Sequence, residues 1–517
     1  MKRRLLWILV AVFGWCGGAA ALADHPFGSI DERLPPPNDY RTASGAPGPR
    51  YWQQKADYRI SAELDEARRA ITATARITYR NNSPHDLGYL WFQLEQNRYR
   101  PDSHAWLADT PRRPGEMTYD DLTRSIAARS FAGGFTIRSV KAAGADLPHQ
   151  IFDTVMRVDL PEPLKPGGEI EIEIAWSHNL VDQRTLGGRS GYEYFATDGN
   201  HIFQVGAWYP RLAAYTDYGG WQTRPSLGSS EFALEFGDFE VSITVPADHV
   251  VAATGSLQNA DMVLTDAQRR RLDEARTATR PVFIVTPDEA DAAARARAAR
   301  RKTWIFKAEN VRDFAFAASR KFIWDAWGVK QQDGSTVMAM SFYPREAMPL
   351  WDKYATHAIA HGIEEFGRRL VPYPWPVAQM VSGSVYGMEF PMIAFASPRP
   401  EIDGEGRATY SRDAKYGLIN IILHEIAHNW FPMMVNSDER EWAWMDEGLA
   451  TFLQYLAEQT WEKNYPSTRG DPRRAAPYMT RSGGLTVMTP ADAIPNPGDL
   501  VYARPAIALN VLRETVL

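Results

Sequence analysis

The chain holds a single cysteine among its 517 residues, Cys16. It therefore cannot form an internal disulfide or a multi-thiolate metal site, and any bound metal must rest on His, Asp and Glu. Basic excess is also missing. Lys plus Arg number 57 against 63 Asp plus Glu, a formal charge of -6, which argues against a nucleic-acid-binding surface. Long apolar runs are as scarce. The stretch Leu5 to Trp15 is short for a bilayer span. It follows Lys2-Arg3-Arg4 and precedes Ala19-Ala20-Ala21-Leu22-Ala23, the order of parts in a secretory signal peptide cut after Ala23. Cleavage removes Cys16, leaves no stable membrane span and sends the product to the periplasm or the medium. Without cleavage the segment is a membrane anchor.

What is present describes an ordinary globular chain, with 44% apolar and 23% charged residues and room for several domains. After the signal (1–23), residues 24–50 are Pro- and Gly-rich and read as an extended lead-in. From 51 to 262 the texture is β. Residues 57–64, 70–79, 168–176 and 239–245 alternate apolar with polar, as half-buried strands of an antiparallel sandwich do. Residues 263–302 are rich in Ala, Arg, Asp and Glu and read as a charged, solvated helical insertion. Residues 303–517 form a third region. Its stretches FAFAASRKFIWDAW and WDKYATHAIAHGIEEFGRRL read as helices, Val381 to Phe395 as a strand, and 464–499 as a surface excursion. The expected fold class is multidomain α+β, an N-terminal β-sandwich followed by a mainly helical domain with a small sheet.

The stretch NIILHEIAHNWFP (Asn420–Pro432) carries the chemistry. Leu418, Ile421, Ile422 and Ile426 recur at helical spacing, and Pro432 ends the pattern. His424 and His428 stand at i and i+4, one turn apart on one face, where two imidazoles can close on a single zinc ion. Glu425 adjoins a ligand and suits a general base better than a third donor. A bare His-Glu-x-x-His recurs by chance, and buried core histidines on a helix would read the same way. The segment WMDEGLATFLQYL (Trp444–Leu456) then opens a second helix with Glu447 in its first turn, eighteen residues separating it from His428. That spacing lets the second helix fold back and present Glu447 as the third ligand. Asp446 or Asn429 is a candidate to orient a ligand.

HEIAHNW followed by WMDEGLATF at this separation resembles the gluzincin metallopeptidases, thermolysin-like enzymes, and in particular the aminopeptidase N family. Val385-Tyr386-Gly387-Met388-Glu389-Phe390-Pro391 is similar to that family's Gly-x-Met-Glu-Asn strand, with Tyr386 in place of the first Gly and Phe390 in place of Asn. The resemblance implies that Gly387, Met388 and Glu389 line the substrate cleft and that Glu389 binds the free α-amino group of a peptide. Tyr502 stands where the family's Tyr-x-Lys-Gly places an oxyanion donor, here with Arg504 and Pro505 for Lys and Gly. Gln204, in IFQVGAWYPR, resembles a glutamine that anchors the substrate terminus. The implied function is an aminopeptidase with one zinc ion on His424, His428 and Glu447, Glu425 as base and Tyr502 as oxyanion donor, acting on peptides with a free N-terminus. An endopeptidase on the same zinc, motivated by Tyr386 and Phe390 crowding the amine site, stays open. So do a non-peptide hydrolase and a catalytically impaired zinc-binding protein. In the resembled family the catalytic domain continues well past the tyrosine, so a chain reaching only Leu517 reads as incomplete at its C-terminus. Side-chain preference, physiological substrate and oligomeric state leave no trace in these motifs.

Overall fold

The computed structural model describes residues 36–108, 117–228, 231–480, 485–494 and 497–517. The signal-like segment and the first part of the lead-in lie outside these residues. Among the described residues no helix is long and apolar enough to cross a membrane. The chain divides into two compact units. In the smaller one, the lead-in ending at Gln53 is joined by Thr216–Gly220, and Arg41 Nε pairs with Asp217 Oδ2 at 2.7 Å. The larger unit, Gln54–Tyr215 with Trp221–Leu517, holds both the β-rich region and the helical region.

The β-rich region follows from its period-two pattern. In β1 (Lys55–Asp65) the residues Ala56, Tyr58, Ile60, Ala62 and Leu64 are buried and their neighbours are not. It pairs antiparallel with β2 (Ala70–Arg80), which pairs with β3 (Glu169–Asn179). These are central strands of an eight-stranded sheet. A separate four-stranded sheet includes β4 (Asn200–Val205). The expected sandwich is otherwise antiparallel, but β5 (Gly237–Pro246) runs parallel to β1, and β6 (Arg301–Val311) then pairs antiparallel with β5. Trp176 and Trp208 fill the interior. Their indole N–H groups donate to the carbonyls of Trp208 and Phe314, both at 3.0 Å, so the buried polar atoms are satisfied.

Two sequence expectations change in the second half. The Ala/Arg-rich stretch contains helices Asp266–Ala275 and Pro287–Arg295, but between them the strand Val282–Val285 joins the edge of the next sheet. The run FAFAASRKFIWDAW is not helical. It forms strands Phe316–Ser319 and β7 (Ile323–Lys330). Nearly every residue there is buried, and a continuous apolar run covered on both faces has no period that separates strand from helix. The six-stranded sheet continues through β8 (Thr336–Tyr343) and β9 (Val377–Ser382). The one expected strand at 381–395 is three. β9 is followed by β10 (Gly387–Phe390), which lies at the sheet edge, and β11 (Ile393–Ala396) sits between them.

Helix α1 (Trp351–Arg369) packs on the sheet and on α2 (Arg412–Ala427), which packs on α3 (Glu447–Trp461). Ser411 caps α2, its hydroxyl accepting from the Ala414 N–H. Leu418, Ile419, Ile422 and Leu423 of α2 are wholly buried, about 2 kcal/mol each by area, which fixes the helix rotation and hence the direction of its polar residues. α4 (Arg504–Thr515) packs on α3, preceded by a wide helical turn over Gly498–Ala503 that carries Tyr502.

Candidate metal centre

The two histidines and Glu447 come together. His424 Nε2 lies 3.0 Å from Glu447 Oε2, His428 Nε2 lies 3.4 Å from the same oxygen, and the two Nε2 atoms are 3.2 Å apart. Donors at 2.0–2.1 Å from a tetrahedral zinc stand about 3.3 Å from one another, so these three atoms fit three corners of its coordination shell and leave a fourth open. The fit needs no rearrangement. Burial holds His424 below its ordinary range, in the neutral form a ligand requires. Burial acts against charge on His428 too, but the Glu389 and Asp446 carboxylates outweigh it and pull His428 upward. The same carboxylates favour a cation on its ring.

Asp446 stands behind one of the candidate ligands. Its Oδ1 lies 2.8 Å from His428 Nδ1, and the Phe431 carbonyl lies 3.0 Å from the same nitrogen. Asn429 has a different task, since its Oδ1 accepts from the Met392 N–H at 3.0 Å and the Tyr373 hydroxyl at 3.2 Å and ties the helix end to the sheet.

Glu425 is buried, and burial pushes its carboxyl well above the ordinary range, the direction that suits a group which takes and returns a proton near neutrality. Gly387 explains how the edge strand approaches it. A Cβ at Gly387 would sit 2.6 Å from Glu425 Oε1, so a side chain here would displace that carboxylate. Glu389, two residues on and so on the same face, has Oε1 3.9 Å from His428 Nδ1. Met388 and Phe390 alternate to the other face and are buried, so Met388 offers the cleft its backbone alone. Phe390 does not crowd the site. Its ring packs on Phe395 and fills the space above Gly206, whose Cβ would lie 2.1 Å from Phe390 Cζ. Tyr386 is 77% exposed.

Tyr502 donates from its hydroxyl to Glu447 Oε1 at 2.6 Å and stacks on the His424 ring at 5.8 Å. Burial and Glu447 hold the phenol well above its ordinary range, so it remains a donor. Gln204, on β4, accepts the Val385 N–H through Oε1 at 3.0 Å and so props the turn that leads into β10. Its Nε2 is buried and has no hydrogen-bond partner among the described residues.

Sequence reasoning missed the groups behind Glu389. Oxygen atoms of Glu231, Glu389, Glu439 and Asp446 lie within 4.8 Å of one another. Arg189 meets Glu231 at 2.9 Å, and Arg312, itself buried, pairs with Glu439. These residues come from separate segments with no motif between them; the charge of Glu439 inside the polar connection 436–441 was the only visible signal.

Two imidazoles and a carboxylate presented by neighbouring helices, with a carboxyl between them and a strand alongside, form a donor set suited to a zinc ion. Residues 354–480 match the model of the Peptidase family M1 domain. Aminopeptidase N of Homo sapiens is 29% identical over 104 residues, 19% of this chain and 11% of that protein. Leucine aminopeptidase 2 of Aspergillus oryzae is 29% identical over 109 residues, 20% of this chain and 15% of that protein. The matched stretch thus spans well under a fifth of these relatives. Among solved structures, the M1 zinc metallopeptidase of Deinococcus radiodurans superposes with a TM-score of 0.54 at 16% identity, covering 91% of this chain and 84% of that one. A variant of the same protein with a Tyr-Ser-Ala substrate bound aligns with a TM-score of 0.54 at 15% identity, over 90% and 84%. The shared fold is a β-rich N-terminal region followed by a helical catalytic region.

Proposed function

We propose that this protein is an aminopeptidase, with one zinc ion held by His424, His428 and Glu447, that removes N-terminal residues from peptides. The observation that carries the reading is Glu389. A buried carboxylate stands beside the metal ligand His428, on the same strand face as the glycine that admits Glu425. Zinc held by these residues supplies a Lewis acid that activates water and polarises the scissile carbonyl. Glu425 accepts the water's proton and passes it to the departing amine. The Tyr502 hydroxyl supplies a neutral donor for charge that develops on the carbonyl oxygen. Burial and Glu231 push Glu389 well above its ordinary range, and a substrate ammonium would supply the missing positive charge and draw it back to the ionised form. That pairing sets the register one residue from the peptide end. The order of parts at residues 1–23 supports export as the route by which the enzyme meets its peptides.

The test is a peptide offered with a free and with an acetylated N-terminus. The free form is cleaved and the acetylated form is not, and Glu425→Gln keeps its zinc while losing turnover. Equal cleavage of both forms would favour the endopeptidase reading.

A further inference from the structure

Charge around the metal ligands is divided between two sides. His428 faces the carboxylates of Glu389 and Asp446, with Glu231 and Glu439 beyond them. His424 and Glu447 face Tyr502, and over the Tyr502 ring, 4.8 Å from its centre, lies the guanidinium of Arg469. Arg469 is exposed, pairs with no carboxylate at contact distance among the described residues, and acts at longer range on His424 and the buried Glu458. The backbone that carries it is pinned. Gly470 adopts φ +78°, and a Cβ there would meet Tyr455 Cβ at 2.8 Å. Asn510 Nδ2 donates to the Gly470 carbonyl at 3.0 Å, and Gln459 Nε2 donates to Ser467 Oγ at 2.8 Å. An arginine on a fixed loop, stacked on an aromatic ring with its donor fork unfilled, suits a carboxylate.

We propose that Arg469 receives the C-terminal carboxylate of short substrates, so that the cleft selects zwitterionic di- and tripeptides. The proposal rests on the aminopeptidase reading, which sets the ammonium against Glu389. The spacing agrees. The guanidinium lies one ring contact of 4.8 Å beyond Tyr502, which itself stacks 5.8 Å from His424. An extended peptide advances about 3.3–3.6 Å per residue, so a carboxylate one to three residues past the scissile bond falls within reach. The carboxylates beside His428 and the Arg469 guanidinium over Tyr502 together complement a peptide charged at both termini. A long peptide, or one with an amidated end, leaves Arg469 unmatched.

The experiment compares kcat/KM of the zinc-loaded full chain for Leu-Ala and Leu-Ala-Ala with their C-terminal amides, using Leu-p-nitroanilide as a reference. Wild type favours the free acids by roughly 10-fold, mainly through KM. Arg469→Ala brings the ratio to about one because the acids lose far more than the amides or the anilide, and Arg469→Lys keeps part of the preference. Two results overturn the proposal: equal rates on acids and amides in wild type, or an Arg469→Ala loss shared equally by acids, amides and anilide. The second would make Arg469 a support for Tyr502 only. Failure to cleave any of these substrates would sink the aminopeptidase reading instead. Calorimetric titration of Leu-Ala and its amide then decides on Arg469 by itself, and equal affinities overturn it.

Discussion

Gly387→Ala separates the chemistry from the fold more cleanly than removal of a ligand would. Gly387 is not among the residues with positive φ, so alanine meets no backbone strain there. The added methyl would lie 2.6 Å from Glu425 Oε1 and 3.1 Å from Ile421 Cδ1. Carbon and oxygen settle at about 3.5 Å or beyond, so the carboxylate or the strand must yield by roughly 1 Å. The yielding atom is the end of a side chain, which keeps the cost to stability small. Glu425 is the proposed base, though, and a misplacement of about 1 Å costs on the order of 10²-fold in rate. The expected outcome is a kcat on Leu-p-nitroanilide lower by about that factor, with zinc content by atomic absorption and the melting temperature close to wild type. A kcat within a few-fold of wild type would refute the assignment of Glu425, because the crowding would then touch no atom that matters. Loss of zinc together with activity would show that β10 moved and carried His428 with it.

Two further outcomes follow from buried groups. Asp446→Asn removes the carboxylate 2.8 Å from His428 Nδ1 and is expected to weaken zinc binding by about 10–100-fold in competition with a chromogenic chelator; unchanged affinity would leave the Phe431 carbonyl as the sole orienting group. His178, buried on β3 against Phe135 with neither ring nitrogen hydrogen-bonded among the described residues, has its pKa lowered by burial to about 3. The folded state keeps it neutral, whereas the unfolded chain protonates it below about 6.5, so stability present above that pH is lost as pH falls toward 3, by about 5 kcal/mol in all. His178→Leu should flatten urea-unfolding stability across that window by close to one proton, and an unaltered slope would mean the imidazole is charged in the fold.

The parts of the site legible in the sequence are those whose geometry is local. Two histidines four apart on a helix must share a face, and a carboxylate opening the next helix can return to them, so His424, His428 and Glu447 needed no tertiary information. The strands β1, β2, β3 and β5 were legible because each has one face in the core and one outside. The same rule fails for residues 316–330, which are covered on both faces and so carry no alternation. It fails again for the carboxylates and arginines around Glu389. Arg189, Glu231, Arg312 and Glu439 meet only because the β-rich region and the connection between α2 and α3 converge there, and no spacing along the chain encodes that meeting.

Phe390 illustrates how a departure from a motif can mislead when it is read without a face. The crowding argument for an endopeptidase assumed that a residue next to Glu389 shares its surroundings. On a strand it points the opposite way, and here its ring takes the room that Gly206 leaves empty, an exchange of volume within the core. What bears on exo- against endopeptidase action is the charge on Glu389's own side. Four carboxylates converge there against Arg189 and Arg312, and Glu389 Oε1 is buried without a hydrogen-bond donor among the described residues. A mid-chain peptide amide brings one neutral N–H to that pocket and gives Glu389, which burial and Glu231 keep protonated, no charge to pair with. An α-ammonium brings a full positive charge and three donors. That difference supports the aminopeptidase reading proposed above.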